Sequence, residues 1–291
     1  MSILQAVILG AVQGITEFFP VSSSGNLALI SNIMGVGDEA SLLFVVMLHV
    51  GTLSAVTLVF WKDILRLVAE WVRLLRDVCY NLRLLLGRRG RLDPPPYRKL
   101  VSGNYRKFSL MVMVTMIPTV IIGYLICPLA EAVTGNLLAS GMGLLVTALL
   151  LLVSSFMPGS GKDPKKAKYT DAILIGAFQG FSGFPGISRL GMTVSSAFLS
   201  GFSRKFVLKY SFILCVPAIL GAIILEGSRA HAQAGISSVA VAPCLAGMIT
   251  AAVVGFFVIR LALRLISKRG NRIFAAYCLI IGIISAVGYL H

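Results

Sequence analysis

Long apolar runs alternate with short polar links along this chain. Six runs, about 41–60, 108–127, 137–157, 208–225, 239–259 and 273–290, approach the ~20 residues an α-helix needs to cross about 30 Å of hydrocarbon. They predict six transmembrane helices. Two further apolar stretches, about 3–30 and 172–200, are broken near their middles by PVSSSG at 20–25 and FPGISRLG at 184–191. A continuous spanning helix does not carry such a run, because irregular backbone in lipid must be covered by protein. Each stretch reads instead as a re-entrant helix–loop–helix arm, entering and leaving on one side.

The charges on the links test that reading. Segment 61–107 holds 12 of the 26 Lys and Arg residues, and 158–171 and 260–272 hold four and five. The link 201–209 adds Arg204, Lys205 and Lys209, whereas 31–40 and 128–136 hold none and 226–238 only Arg229. With 172–200 re-entrant, every basic link falls inside and every poor one outside, as the positive-inside rule requires. With 172–200 crossing fully, 158–171 and 260–272 would fall on opposite sides. The C-terminus is then predicted outside. The charges do not decide whether 3–30 is re-entrant; that follows from an internal repeat, which puts the N-terminus outside too.

The chain also repeats itself. Gly10-Ala11-Val12-Gln13-Gly14 matches Gly176-Ala177-Phe178-Gln179-Gly180, an offset of 166 (176 less 10). Pro20 and Ser23 match Pro185 and Ser188 after the loss of one residue, and LHVGTLSAV at 48–56 faces LCVPAILGA at 214–222 at the first offset. Each half reads broken arm, span, span, span. Three crossings per half make the halves opposite in orientation, so the tips of the two arms should meet near the midplane, as in inverted-repeat transporters. The prediction is one all-α membrane domain over 1–291, with inverted repeats at about 1–157 and 172–291. An insertion at about 61–107 distinguishes the halves. Within it the charges at 62, 66, 70, 73 and 77 share one helical face, which suits an amphipathic helix on the inner surface.

Composition agrees. Hydrophobic residues make up 57% and charged residues 13%, against about 45–50% and about 25% in soluble domains. A soluble enzyme, a disordered chain and a coiled coil are excluded. Net charge is +15, but the basic residues sit in short links, with no soluble basic module to bind nucleic acid. Cysteines 79, 127, 215, 244 and 278 are odd in number and scattered, which argues against a disulfide frame or metal site. The N-terminal stretch lacks a basic lead and is interrupted by Glu17, so it reads as part of the fold rather than a signal peptide.

Of 11 acidic residues only Glu17 lies deep in an apolar segment, and of 26 basic residues only Arg189 does. An intramembrane charge is costly and marks a functional site by default. The two stand at equivalent arm tips, so they should approach each other; the bland alternative is an ion pair that only joins the repeats. Gln13, Ser22, Ser23, Ser24, Gly25 and Asn26 surround Glu17, and Gly186, Ser188, Gly191 and Thr193 surround Arg189. Small residues at helix N-termini leave backbone N–H groups free for an anion, and Arg adds a planar fork suited to phosphate. Glu17 can hold a divalent cation or act as a base, and a serine hydroxyl can hold or attack phosphate. Such a site beside lipid suits an amphiphile with a diphosphate head.

QGITEFFPVSSSGN at 13–26 resembles the first signature of the bacitracin-resistance type of undecaprenyl-diphosphate phosphatases. Pro185-Gly186-Ile187-Ser188-Arg189, with Thr193 behind it, resembles the second, PGxSR. The resemblance covers nearly the whole chain. It implies a multi-pass enzyme of the bacterial cytoplasmic (inner) membrane, with its site facing outward. Such an enzyme hydrolyses undecaprenyl diphosphate to undecaprenyl phosphate and phosphate, and so recycles the lipid carrier of peptidoglycan synthesis. It implies a divalent cation, Mg2+ or Ca2+, at Glu17 and Gln13. Glu17, Ser23 and Arg189 become the catalytic set, with Ser22, Ser24, Gly25, Asn26, Gly186, Ser188 and Thr193 around the phosphates. The partners implied are a polyprenyl diphosphate and membrane lipids, with no nucleic acid, and with room for a homodimer.

One departure matters. The signature's usual His is Asn26 here, and Asn cannot carry a proton. Gln13 stands where many members have Glu, removing one ligand charge. His49, in the first span, reads as a satisfied polar residue rather than a replacement base. The competing reading is a transporter that moves a polyprenyl phosphate between leaflets without hydrolysis.

Overall fold

The computed structural model describes residues 1–36, 42–87, 96–101, 103–157, 161–162, 166–233 and 241–289. Parts of the predicted insertion, 88–95 and 102, lie outside the described residues. Among those described, ten α-helices make up the architecture: α1 (Ile3–Thr16), α2 (Ser23–Ile33), α3 (Leu42–Gly87), α4 (Asn104–Ala132), α5 (Leu137–Phe156), α6 (Tyr169–Gly180), α7 (Arg189–Leu199), α8 (Arg204–Gln233), α9 (Val241–Leu265) and α10 (Lys268–Gly288). Six of them, α3, α4, α5, α8, α9 and α10, are long and apolar enough to cross a membrane. This is an all-helical, multi-pass membrane protein.

The two broken stretches become pairs of short helices. α1 and α2 have 14 and 11 residues, α6 and α7 have 12 and 11. At 1.5 Å per residue none exceeds about 21 Å, short of a bilayer core. α1 stops where Pro20 approaches and Ser22 adopts φ +63°. α6 runs into a 3₁₀ turn, Phe181–Gly183, and the chain then turns at Gly186, φ +82°. At Gly186 a Cβ would sit 1.9 Å from the Ser140 carbonyl oxygen, so only glycine fits.

Each short pair packs on spans from the other half of the chain. α1 lies on α9 and α6 on α4, while α3 packs on α8 and α9, and α5 on α10. Small residues make the approach close, as is usual where lipid supplies no hydrophobic drive between helices. A Cβ at Gly10 would lie 2.5 Å from the Gly247 carbonyl oxygen, and one at Gly176 2.1 Å from that of Thr115. These two glycines are the repeat-matched pair of the sequence.

α3 runs on past the predicted span. Its helical geometry breaks at Phe60 (φ −107°, ψ 20°), one residue before the charged half begins. The predicted amphipathic segment is therefore the continuation of the first span. Its charged face does not all meet solvent. Arg106, buried at the start of α4, bonds Glu70 through Nε at 3.0 Å and Asp77 through Nη1 at 2.7 Å, and Arg98 adds a third bond to Asp77. A core of Phe18, Phe60 and Phe212, ring to ring, packs between α3 and α8 directly behind Glu17.

Candidate active site

The two arm tips meet. Ser24 Oγ accepts the Gly186 backbone N–H at 3.2 Å, and a Cβ at Gly25 would be 3.2 Å from Gly186 Cα. Across this junction Arg189 Nη1 reaches Glu17 Oε1 at 3.2 Å. The Glu17 side chain is 4% exposed and that of Arg189 is 20% exposed. Glu17 Oε2 accepts two more bonds, from Ser23 Oγ at 2.7 Å and from Gln13 Nε2 at 3.1 Å. A buried carboxylate needs such partners, and here they are the three residues the motifs singled out.

The local sequence explains the placement. Gln13 and Glu17 are one helical turn apart at the end of α1, so they share a face. Ser22 caps α2 by accepting the Gly25 N–H, which brings Ser23 to the first position of α2 and back over Glu17. Ser188 caps α7 in the same manner, accepting from Gly191 at 3.0 Å and leaving Arg189 at the first helical position. Two helix N-termini thus converge on one carboxylate and one guanidinium. Their free N–H groups and positive dipole ends suit an anion.

The other predicted residues divide. Gly25 and Gly186 form the contact of the tips. Thr193 is buried, and its hydroxyl donates to the carbonyls of Arg189 and Leu190 within its own helix. Asn26 is buried and fully engaged. Its Nδ2 donates to the carbonyls of Val21 and Ser22 at 2.9 and 2.8 Å, and its Oδ1 accepts from the Tyr277 hydroxyl. It holds the strained Ser22 turn in place.

Thr147 escaped sequence reasoning, as did Glu226, the partner that satisfies His49. Thr147 of α5 clamps the second tip: its Oγ1 accepts from Ser188 N–H at 3.0 Å and lies 3.2 Å from the Gly186 carbonyl. His49 of α3 bonds through Nδ1 to Glu226 of α8 at 2.9 Å. Glu226 is read as a link residue when the span is ended at 225, but α8 runs on to Gln233. Polar residues inside apolar spans are the signal for these contacts, but their partners lie 39 to 177 residues away in the chain.

Gln13 Oε1 is buried without a hydrogen-bond partner, and so is its repeat mate Gln179 Oε1. Among the described residues no cluster of three or more His, Cys, Asp or Glu side chains could hold a metal alone. The oxygen donors beside Glu17 are Gln13 Oε1 and Ser23 Oγ. Mg2+ and Ca2+ take oxygen ligands, and Mg2+ is commonly held by one or two carboxylates plus substrate phosphates. The donor set fits a cation that shares its shell with a diphosphate.

The family model for bacitracin resistance protein BacA matches residues 6–284. An undecaprenyl-diphosphatase of Methanosphaera stadtmanae is 35% identical over 287 residues, 99% of this chain and 98% of the relative. That of Alkaliphilus metalliredigens is 34% identical over 282 residues, 97% of each chain. That of Desulforapulum autotrophicum is 35% identical over 288 residues, 99% of this chain and 98% of the relative.

Proposed function

This chain belongs to the bacitracin resistance protein BacA family, and we propose that it hydrolyses undecaprenyl diphosphate to undecaprenyl phosphate and inorganic phosphate. The product is the lipid carrier of peptidoglycan synthesis. The observation that carries the reading is one carboxylate between two reactive partners: Ser23 Oγ on Glu17 Oε2 at 2.7 Å, and Arg189 on Oε1. A hydroxyl within hydrogen-bond reach of a base is the arrangement of an activated nucleophile.

In this reading Ser23 Oγ attacks the terminal phosphorus, and its proton passes to Glu17. The bond from phosphorus to the bridging oxygen breaks, and undecaprenyl phosphate leaves with the electron pair. Arg189 and the N-terminal N–H groups of α2 and α7 hold the equatorial oxygens as charge spreads over them. Glu17 and Gln13 would hold a divalent cation, Mg2+ or Ca2+, whose charge would offset that of the diphosphate. A carrier that moves polyprenyl phosphate without hydrolysis has no use for the Ser23–Glu17 pair.

We further read α1–α2 and α6–α7 as re-entrant arms of an inverted repeat. Supporting this, Gly10 and Gly176 press on the middle spans of opposite halves. Lys and Arg gather at the α3–α4, α5–α6, α7–α8 and α9–α10 links. By the positive-inside rule these links lie in the cytoplasm of a bacterial inner membrane, and the site opens outward.

Phosphate release from a C55 diphosphate by purified protein, with and without a chelator, tests the reading. Release that Glu17→Gln abolishes is the expected result. A wild-type protein that releases no phosphate, yet moves polyprenyl phosphate across a vesicle, would overturn it.

A further inference from the structure

Beyond the Phe60 break, α3 carries an exposed apolar strip. Trp61, Leu65, Val68, Val72 and Leu75 recur every three or four residues, and all five are exposed, Leu75 at 64%. A contiguous apolar surface of this kind marks a contact. Lys62, Arg66, Arg73 and Arg76 are exposed along one edge of it. The acids of the same stretch, Asp63, Glu70 and Asp77, turn away into ion pairs. Lys209 meets Asp63 at 2.7 Å, and Arg106 meets Glu70 at 3.0 Å and Asp77 at 2.7 Å, with Arg73 sharing Glu70. The edge of the strip is therefore net positive.

Contacts with α4 fix the direction of this stretch. The Tyr105 hydroxyl donates to the Asp63 carbonyl at 3.0 Å, and Arg106 reaches both Glu70 and Asp77. Asp63 to Asp77 is 14 residues (77 less 63), or about 21 Å of helix, yet it lies against two adjacent residues at the start of α4. Such a stretch crosses α4 rather than running beside it. Because α4 is a span, this part of α3 lies along the membrane surface. Trp71 Nε1 donates to the Ser109 carbonyl at 3.4 Å, one turn deeper into α4 than Tyr105. At about 100° per residue the apolar strip lies toward the Trp71 side of the helix and the basic edge away from it. The strip therefore faces hydrocarbon and the basic edge faces headgroups. Arg66 and Arg73 also open onto a hollow of about 410 Å³ lined by Ala69, Glu70 and Tyr105, which leaves room for a phosphate between two guanidinium groups. The α4 contacts end at Asp77, and the face ends with them.

We propose that Trp61–Asp77 docks on the bilayer surface and selects anionic phospholipid headgroups there, an inference independent of the chemistry at Glu17. A helix with an apolar face and a basic edge lies in the interface plane, and each Lys or Arg near an anionic surface strengthens the attraction. The arginines add a planar fork for the headgroup phosphate. A second copy of the chain suits the face less. Strip against strip, Lys62 and Arg76 of both copies would flank the seam, and the three carboxylates that could meet them are already held by Lys209 and Arg106.

The chain's two tryptophans, Trp61 and Trp71, both lie on this stretch, so its intrinsic fluorescence reports there. The full-length protein is reconstituted into phosphatidylcholine vesicles in which a varied fraction of the lipid carries bromine on the acyl chain just below the headgroup. The brominated lipid is either phosphatidylcholine or phosphatidylglycerol. Both should quench the tryptophans, and phosphatidylglycerol should compete for the surface at least about fivefold better, the worth of a single basic residue at an anionic membrane. In the triple variant Arg66→Gln, Arg73→Gln, Arg76→Gln the two lipids should quench alike, with thermal unfolding close to that of the wild type. Salt at 1 M, where the Debye length is about 3 Å, should shrink the preference in the wild-type protein, which keeps the test alive if the variant folds poorly. Equal quenching of the wild type by the two lipids, or a preference that neither the variant nor salt reduces, would overturn the proposal. Tryptophans that neither lipid quenches would overturn it too, and a pair of chains crosslinked through this helix would then make a second copy the occupant of the strip.

Discussion

Arg189 and Glu17 stand 172 residues apart in the chain, and Nη1 of one lies 3.2 Å from Oε1 of the other. The pair joins the tips of two broken apolar segments, with Ser23 and Gln13 on the remaining carboxylate oxygen. Arg189→Lys keeps the charge but loses the planar fork. Removing a transition-state donor in a water-poor site costs roughly 2.7–4 kcal/mol, so phosphate release should fall about 100- to 1000-fold. Ser23→Ala should fall at least as far, and Glu17→Gln should leave no measurable rate. Steady-state phosphate assays on the three variants check this.

Asn26 makes a contrasting prediction. The signature this chain resembles carries His there, so Asn26→His looks like a repair. The structure argues otherwise. Asn26 supplies two donors to the Val21 and Ser22 carbonyls and one acceptor to Tyr277, a set that a histidine ring cannot reproduce. Asn26→His should lower phosphate release, and a rate above wild type would defeat the account. Tyr277→Phe leaves Asn26 Oδ1 without its partner, a loss of about 1–3 kcal/mol if the oxygen stays buried. It should loosen the Ser22 turn and reduce the rate several-fold with little change in KM.

Gly186 sets the shape of the second tip. Its φ is +82°, and an added Cβ would lie 1.9 Å from the Ser140 oxygen. Overpacking costs roughly 1–3 kcal/mol and the left-handed backbone roughly 1–2 more. Gly186→Ala should lower the unfolding temperature and the activity together. Gly183→Ala, three residues earlier with nothing within 4 Å of its Cβ, should do neither.

What could be read in advance follows from how local each signal is. The six spans and two broken stretches depend on run length and on Pro, Gly and Ser at fixed places, all visible within about twenty residues. Glu17 and Arg189 stood out because a charge is rare in an apolar segment. The His49–Glu226 bond was not legible: it joins neighbouring spans across 177 residues, and no periodicity reports which faces of α3 and α8 meet. The place of Asn26 was hidden for the same reason, since Tyr277 comes from α10. Thr193 shows the opposite limit. Its position beside Arg189 was readable, but the hydroxyl turns into its own helix, a rotamer choice that spacing does not reveal.

The charged half of α3 should respond to acid. Hydrogen bonds from Arg106 hold the Glu70 and Asp77 carboxyls below the ordinary carboxylate range, with Arg98 adding to the effect on Asp77. Lowered folded-state values stabilise above the unfolded value, about 4, and the benefit is lost as pH falls through the folded values. Thermal unfolding in detergent should be flat from neutral pH to about 5 and then decline. In Arg106→Gln the neutral-pH unfolding temperature should drop, and the acid decline should shrink. An acid decline of full size in that variant would remove this cluster from the explanation.

The native cysteines offer the test of orientation. Cys79 is exposed on the charged half of α3, whereas Cys215, Cys244 and Cys278 are buried. Residues 42–60 carry no Lys, Arg, Asp or Glu, so the span ends near the Phe60 break and Cys79 lies beyond it. Basic links belong inside, which puts Cys79 on the cytoplasmic side. Cys127, partly exposed near the other end of α4, is removed as Cys127→Ser so that one reactive thiol remains. An impermeant maleimide should then label the protein in inside-out vesicles and spare it in right-side-out ones. The reverse pattern would turn the molecule over and put the Glu17–Arg189 site on an inward-opening path.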